Sequence, residues 1–439
     1  MNDKVGFQRG GFNRRDVLKS AGVGLAAAAG LSRAPAFAQS PVQLTLWSWL
    51  PNFQDQVSLF EAAHPNIKVN LVNAGQGGDE YTKLRAALKA GSGLPDVCHL
   101  EFQLVRSFEQ LKALADIGPS ANAHKDEFAA WAWGQVSDGD KVYAMPWDSG
   151  PIAVLYRNDV FEMHNLTVPK TWAEFADQAI KLHEAAPDVF LTDATFSDGG
   201  WTTSLLWQAG WRPFEVNGAE IRIQVNGDVA KKFAAYWQKL IDAKAIEAKP
   251  GFVTEWYTSL DEGRYATWIT AGWGPVFLTS FAKKSSGKWR GAPIPQWDAG
   301  KVASANWGGS TLAALAASKH PKEAAELAVW LTVDPKPTEL YTTKQFLFPT
   351  RKAILESAEF ADKPFEFYGG QAVNKVFVDS AKAVDPSFQW SPFQDYVNQT
   401  MGDKLGAAAA GNGTLVAAFD SLQDTLVQYA QDQGFTVKT

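Results

Sequence analysis

Trp147 and Asp148 lie side by side at a break in an otherwise strand-like stretch, Lys141 to Asn158. Val142 to Met145 is apolar and aromatic, Pro146 lacks a backbone donor, and Ser149-Gly150-Pro151 interrupts the ladder before Ile152 to Tyr156 resumes it. A flat ring beside a carboxylate offers a ligand a stacking face and an acceptor. The same pattern suits an ordinary strand, turn and strand with a buried Trp. Trp is unusually frequent, however: all 18 follow residue 38, and many adjoin Gly, Pro, Ser or Asp instead of apolar runs. Some of these rings are expected to face a ligand, although a Trp ring is more often largely buried. The sequence holds no G-x-S-x-G elbow and no H-E-x-x-H, and its six His are scattered without ligand spacing. Neither a metal nor a cofactor is expected.

The elements that must position such groups exceed one hydrophobic core, because 439 residues point to at least two lobes. With 46% hydrophobic and 20% charged residues and no acidic or basic block, the chain reads as globular, without a disordered tail. Residues 1 to 38 read as a targeting segment. A twin arginine in Asn13-Arg14-Arg15-Asp16-Val17 precedes a mild Ala/Gly-rich run, Ala21 to Leu31, and then Ala36-Phe37-Ala38, with cleavage expected before Gln39. That run is about half of the roughly 20 residues a spanning helix needs. The segment carries six of the 41 bases and two of the 47 acids, leaving 35 and 45, or a net charge of −10. Nucleic acid is therefore not an expected partner. A single Cys98 cannot form an internal disulfide, and no Cys follows the apolar run to take a lipid, so a soluble periplasmic protein is expected.

Along the chain, strands alternate with helices. Gln43 to Trp47 reads as a strand, Pro51 opens a helix with Phe53, Val57 and Phe60 on one face, and Ile67 to Val72 is a second strand. Asp79 is placed to cap a helix bearing Tyr81, Leu84 and Leu88, and Leu94 to Leu100 is a third strand, so a mostly parallel sheet is expected. Past the break the alphabet restarts. Thr171-Trp-Ala-Glu174 is a capping box, Gly227-Asp228 opens a helix, and Tyr265 to Thr270 is a strand entering Ala271-Gly-Trp-Gly-Pro275. Ala303 to Leu315, with two glycines inside, reads as a second crossing between lobes, and Phe348-Pro-Thr-Arg351 as a third. The end of the chain is helical, closing with an amphipathic helix from Leu415 to Tyr429.

With these residues in view, the mature chain resembles the extracellular solute-binding proteins of ABC sugar importers, the family that includes the maltose-binding protein. The resemblance is carried by Tyr143-Ala-Met-Pro-Trp147 to Leu155-Tyr-Arg-Asn158, by Trp307-Gly-Gly-Ser310 with Lys319-His-Pro-Lys-Glu-Ala after it, and by Pro349-Thr-Arg351. It implies the two-lobed α/β periplasmic binding protein fold of type II, with a sugar held in the cleft between lobes and loading reported to a membrane permease. Lobe 1 would hold residues 39–147 and 306–350, and lobe 2 residues 148–305 and 351–439. Carried over by motif, and by the rule that loops at carboxyl ends of strands face the cleft, the ligand-binding candidates are Trp49, Gln76, Asp79, Glu101, Trp147, Asp148, Asp198, Trp201, Trp256, Trp273, Trp307, Gly308, Gly309 and Arg351. Trp would lie on the C–H face of a pyranose, carboxylates and Arg would hold its hydroxyls, and the glycines would let backbone amides approach. Asp79 also fits a helix cap, and Arg351 also fits an ion pair between lobes. The expected protein is a monomer that binds a carbohydrate without turning it over. The alternatives are a secreted carbohydrate-active enzyme, since paired carboxylates in an aromatic cleft also serve glycosidases, and a binding protein for an anionic sugar derivative, a polyol or a peptide.

Overall fold

The computed structural model describes residues 40–75, 77–343 and 347–438; the expected targeting segment and Gln76 lie outside them. Two α/β lobes are built around separate sheets. The first sheet runs in the order Ile67–Val72, Val42–Trp47, Val97–Glu101, Ser310–Ala314, Met145–Pro146. Its first three strands are parallel, as the alternation with helices requires, but Ser310–Ala314 runs antiparallel to both its neighbours. The second sheet runs Trp289–Pro293, Ile152–Arg157, Tyr265–Ala271, Phe190–Thr192 and is also mixed, with Ile152–Arg157 antiparallel on both sides. The expectation of a mostly parallel sheet therefore holds only for the first three strands. A strand that returns from the other lobe enters against the local direction.

Val42–Trp47 lies between its two successors in the first sheet, so the strand order reverses around it. The loops leaving its carboxyl end and that of Val97–Glu101 start at this switch point, the usual place for a ligand in an open sheet. Local signals position these strand ends. The helix Gly78–Ala90 stops at Gly91, whose φ of 63° is left-handed. In the second lobe Thr171 Oγ1 accepts from the Glu174 N–H at 3.2 Å, and Glu174 accepts in turn from the Lys170 N–H at 2.7 Å, opening the helix Trp172–Ala185. Asp79 does not cap. Gly77 takes the N-cap position, and Asp79 lies exposed inside the first turn with no capping hydrogen bond, where its charge only complements the helix dipole.

Three crossing segments run side by side between the lobes. The Trp147 N–H donates to Ser310 O at 2.9 Å, Ser149 N–H to Phe348 O at 2.8 Å, and Trp307 N–H to Gly150 O at 2.7 Å. Residues 147–151 are thus held on one side by 306–310 and on the other by 348–350, with Asp148 bridged to Pro349 and Pro151 to Asn306. Glycine is obligatory at this contact. A Cβ on Gly150 would lie 1.9 Å from Trp307 O, and one on Gly309, at φ +85°, would lie 2.8 Å from Asp148 O.

Candidate functional site

Glu101 ends the Val97–Glu101 strand and stands at the N-cap of the helix Phe102–Gln110. Tyr81, from the helix Gly78–Ala90, donates its hydroxyl to Glu101 Oε2 at 2.8 Å and accepts the Glu101 N–H at 3.2 Å. Trp49, just past the first strand, meets Tyr81 edge-on, with centroids 6.0 Å apart, and lies flat on His99 at 3.7 Å. Burial holds the His99 imidazole down at about 3, so the ring beneath Trp49 is neutral. One wall of the crevice is thus an aromatic stack beside a carboxyl.

The facing wall comes from the second lobe and the second crossing. Asp198 caps the helix Gly199–Gln208, accepting from the Gly200 and Trp201 N–H groups at 2.7 and 3.0 Å. Trp307 lies over that helix start, since a Cβ on Gly200 would be 3.0 Å from both Trp307 Nε1 and Asp198 Oδ1. Trp273, at the end of the Tyr265–Ala271 strand, donates its indole N–H to Trp307 O at 2.9 Å, and the two rings meet edge to face at 4.7 Å. Gly308, at φ +71°, closes the gap: a Cβ there would be 3.3 Å from Trp273 Nε1 and 3.9 Å from Glu101 Oε1.

Three carboxyls meet here with their ionisation disfavoured. Glu101 is raised by burial first and by the Asp198 charge from the opposite lobe, despite the Tyr81 and Gln103 hydrogen bonds that oppose the shift. Asp198 is raised by burial against its two backbone donors. Asp148 is raised to about 7, by burial and by the Glu101 charge, against hydrogen bonds from Ser310. A carboxyl that keeps its proton both accepts and donates hydrogen bonds to neutral hydroxyls, and one that loses it repels anions. Below it Glu80 is fully buried, and neither carboxyl oxygen has a hydrogen-bond partner in the structure. Burial raises this carboxyl to about 8; the Lys83 charge and the nearby His99 main chain oppose the shift.

Trp49, Glu101, Asp148, Asp198, Trp273, Trp307, Gly308 and Gly309 are therefore brought together, and Asp79, Trp147, Trp201, Trp256 and Arg351 are not. Trp147 is core, 1% exposed, packed on Phe53 at 4.6 Å and behind His99 at 5.1 Å. Trp201 is buried against Phe196 and Trp237, and Trp256 is buried with its indole N–H given to Asp193 Oδ2 at 3.0 Å. Arg351 pairs with Glu127 and donates to Val333 O, so its charge is spent away from the cleft carboxyls. Sequence reasoning took Tyr81 for an apolar helix position and missed it as the partner of Glu101.

A cavity of about 740 Å³ lies on the other face of the helix Gly274–Phe281, between Pro275, Val276, Phe348, Phe360 and Tyr368. Neither Glu101 nor Trp273 lines it, and its inner wall is largely apolar. The strand-end group is the better site, because buried polar groups with shifted ionisation converge there from both lobes. Among the described residues no cluster of His, Cys, Asp and Glu could hold a metal ion.

The family model for bacterial extracellular solute-binding proteins matches residues 47–335. A solved structure of the ABC transporter associated binding protein from B. animalis subsp. lactis, in complex with β-1,6-galactobiose, is 31% identical with a TM-score of 0.79, over 91% of this chain and 100% of that one. The galacto-N-biose-/lacto-N-biose I-binding protein from Bifidobacterium longum, bound to lacto-N-biose, is 26% identical with a TM-score of 0.80, over 91% and 99%. A lactose-binding protein of Rhizobium radiobacter is 26% identical over 83% of this chain and 87% of its own length.

Proposed function

The chain belongs to the bacterial extracellular solute-binding protein family, and from that premise we propose that it captures a neutral sugar or oligosaccharide between its lobes and delivers it to an ABC permease in the membrane. Members of this family are binding proteins, not enzymes, and work outside the cytoplasm. One observation carries the reading: Gly308 sets Trp273 Nε1 and Glu101 Oε1 within 3.3 and 3.9 Å of one point, so a carboxyl from the first lobe, which senses the Asp198 charge, faces the Trp273 and Trp307 rings of the other wall beside Trp49. Rings of this size cover the C–H face of a sugar, and carboxyls grip its hydroxyls. Three carboxyls disfavour an anionic solute, and Arg351, the one base assigned to the cleft from sequence, is paired elsewhere. Contact of these eight residues with the ligand, binding without turnover and a monomeric state belong to the same proposal.

Lobe 1 comprises residues 39–147 and 306–350 on this reading, and lobe 2 the rest of the mature chain. Pairing of Ser310–Ala314 with Val97–Glu101 supports that division. A sugar touching Glu101 from one side and Trp273 from the other favours closure by its differential contacts. Export to the periplasm uses the twin arginine, Arg14 and Arg15, and double substitution to Lys blocks it.

Calorimetry on the mature chain with a disaccharide panel that includes lactose, β-1,6-galactobiose and lacto-N-biose tests the central claim. At least one is expected to bind and to remain intact afterwards, with Trp273→Ala weakening it several-fold, since one stacking surface contributes about 1 kcal/mol. Binding of none, cleavage of the sugar by repurified protein, or unchanged affinity in the variant would overturn it.

A further inference from the structure

Phe252 is 39% exposed and held at φ +63°, in the left-handed region that a bulky side chain rarely enters. Five aromatic rings surround it: Trp256 at 5.5 Å, Trp273 at 5.9 Å, Trp307 at 6.0 Å, Trp268 at 6.2 Å and Phe277 at 6.4 Å. The backbone is therefore strained to place a half-exposed ring against the two Trp of the cleft wall. Beyond it, Trp273, Phe277 and Phe281 recur every fourth residue at and along the helix Gly274–Phe281, which puts them on one face. Their centroids are 5.6 and 6.5 Å apart, and exposure grows outward to 36% at Phe277 and 57% at Phe281. The two Phe rings are nearly parallel, at 23°, and Tyr257 stacks on Phe281 from the neighbouring helix at 4.6 Å. With Val253 at 45%, this is an exposed apolar strip that starts inside the cleft. Contiguous exposed apolar surface marks an interaction site.

We propose that Phe252, Phe277 and Phe281 form an outer subsite that takes the further units of an oligosaccharide projecting from the cleft past Trp273. The inference rests on the reading of the cleft as a carbohydrate site and extends it to ligand length: three or more sugar units. Two features favour a sugar chain over a protein partner. The strip is continuous with the cleft through the ring of Trp273, and Trp273, Phe277 and Phe281 repeat at 5.6 and 6.5 Å, so each successive ring can meet the C–H face of a successive unit. Exposed polar residues follow its two ends in the chain, Thr254 and Glu255 after Val253, and Lys283 and Lys284 after Phe281.

The test is calorimetry on the mature chain with galacto-, arabino- and malto-oligosaccharides of two, three and four units. In the series that binds, the wild type is expected to bind the four-unit sugar about five- to ten-fold more tightly than the two-unit sugar. Phe277→Ala with Phe281→Ala should erase that gain and leave the two-unit affinity unchanged; both side chains are exposed, and circular dichroism checks the fold. Equal affinity across lengths in the wild type, or an equal loss at every length in the variant, would overturn the subsite while the cleft reading stands. A concentration-dependent dimer that the double variant dissolves would assign the strip to a second copy instead and also overturn it. If no sugar of any length binds, the cleft reading itself fails, and the subsite with it.

Discussion

Glu80 permits a quantitative test of how the site is supported. It precedes Tyr81, the residue that holds Glu101, and its carboxyl is fully buried with no partner on either oxygen. Burial carries it from 4.5 to about 8. The folded chain therefore keeps a proton that the unfolded chain releases, between about pH 4.5 and 8. Each pKa unit is worth about 1.4 kcal/mol, so ionising this group in the folded chain costs about 5 kcal/mol once the pH passes 8. The sign follows: wild-type stability falls as pH rises through that window, whereas Glu80→Gln, which keeps the volume and cannot titrate, loses nothing there. The Cys98 thiol and the Tyr81 hydroxyl, both sensing Glu80, are themselves raised above their ordinary values and titrate beyond the window. Urea unfolding followed by Trp fluorescence, from pH 4 to 9 on both proteins, isolates the effect. Any fixed offset from burying an amide cancels in the pH dependence. The stability of the variant relative to wild type should climb by about 5 kcal/mol across the range and be flat at its ends. A difference independent of pH, or a wild type that gains on the variant as pH rises, would refute the assignment of a buried, protonated Glu80.

Trp147→Ala should cost about 3–5 kcal/mol of stability by urea unfolding, because the ring packs between Phe53 and His99, while calorimetry on the folded variant finds sugar affinity close to wild type. A large affinity loss with unchanged stability would return Trp147 to the ligand. Arg351→Ala should lower stability by about 1–3 kcal/mol through the lost Glu127 pair and Val333 carbonyl, and leave sugar binding intact; a selective loss of binding would place the Arg at the cleft after all. Gly150→Ala should destabilise the crossing by about 3 kcal/mol or more, since its Cβ meets Trp307 O at 1.9 Å. Gly134→Ala, in the helix Ala130–Val136 with nothing near its Cβ, should gain about 0.5–1 kcal/mol in the same assay.

Much of the chain was legible before folding because its signals are local. Alternation and turn residues located the first three strands, Thr171 and Glu174 announced their helix, and Pro and Gly breaks marked the places where the chain passes between sheets. The run Trp307-Gly-Gly, through the resemblance it carries, named Trp307 as a cleft candidate, and in the structure the ring lies against Trp273 over the start of the Gly199–Gln208 helix. Which Trp is core and which is wall was not legible. Trp147 and Trp307 both sit on crossings beside turn residues. Both rings are buried, and only the layer that packs there, Phe53, His99 and Tyr341 around Trp147 and Trp273, Phe252 and the start of the Gly199–Gln208 helix around Trp307, decides which belongs to the first lobe's core and which to the cleft wall. Asp79 and Arg351 turn on the same kind of fact: a helix that begins two residues early, and a Glu127 more than 200 positions away. The pairing of Glu101 with Tyr81 and its opposition to Asp198 likewise join segments from different elements and different lobes. Short-range pattern determines which element forms and where it stops; side-chain environment is set by partners distant in sequence, and those exist only once the sheets have assembled.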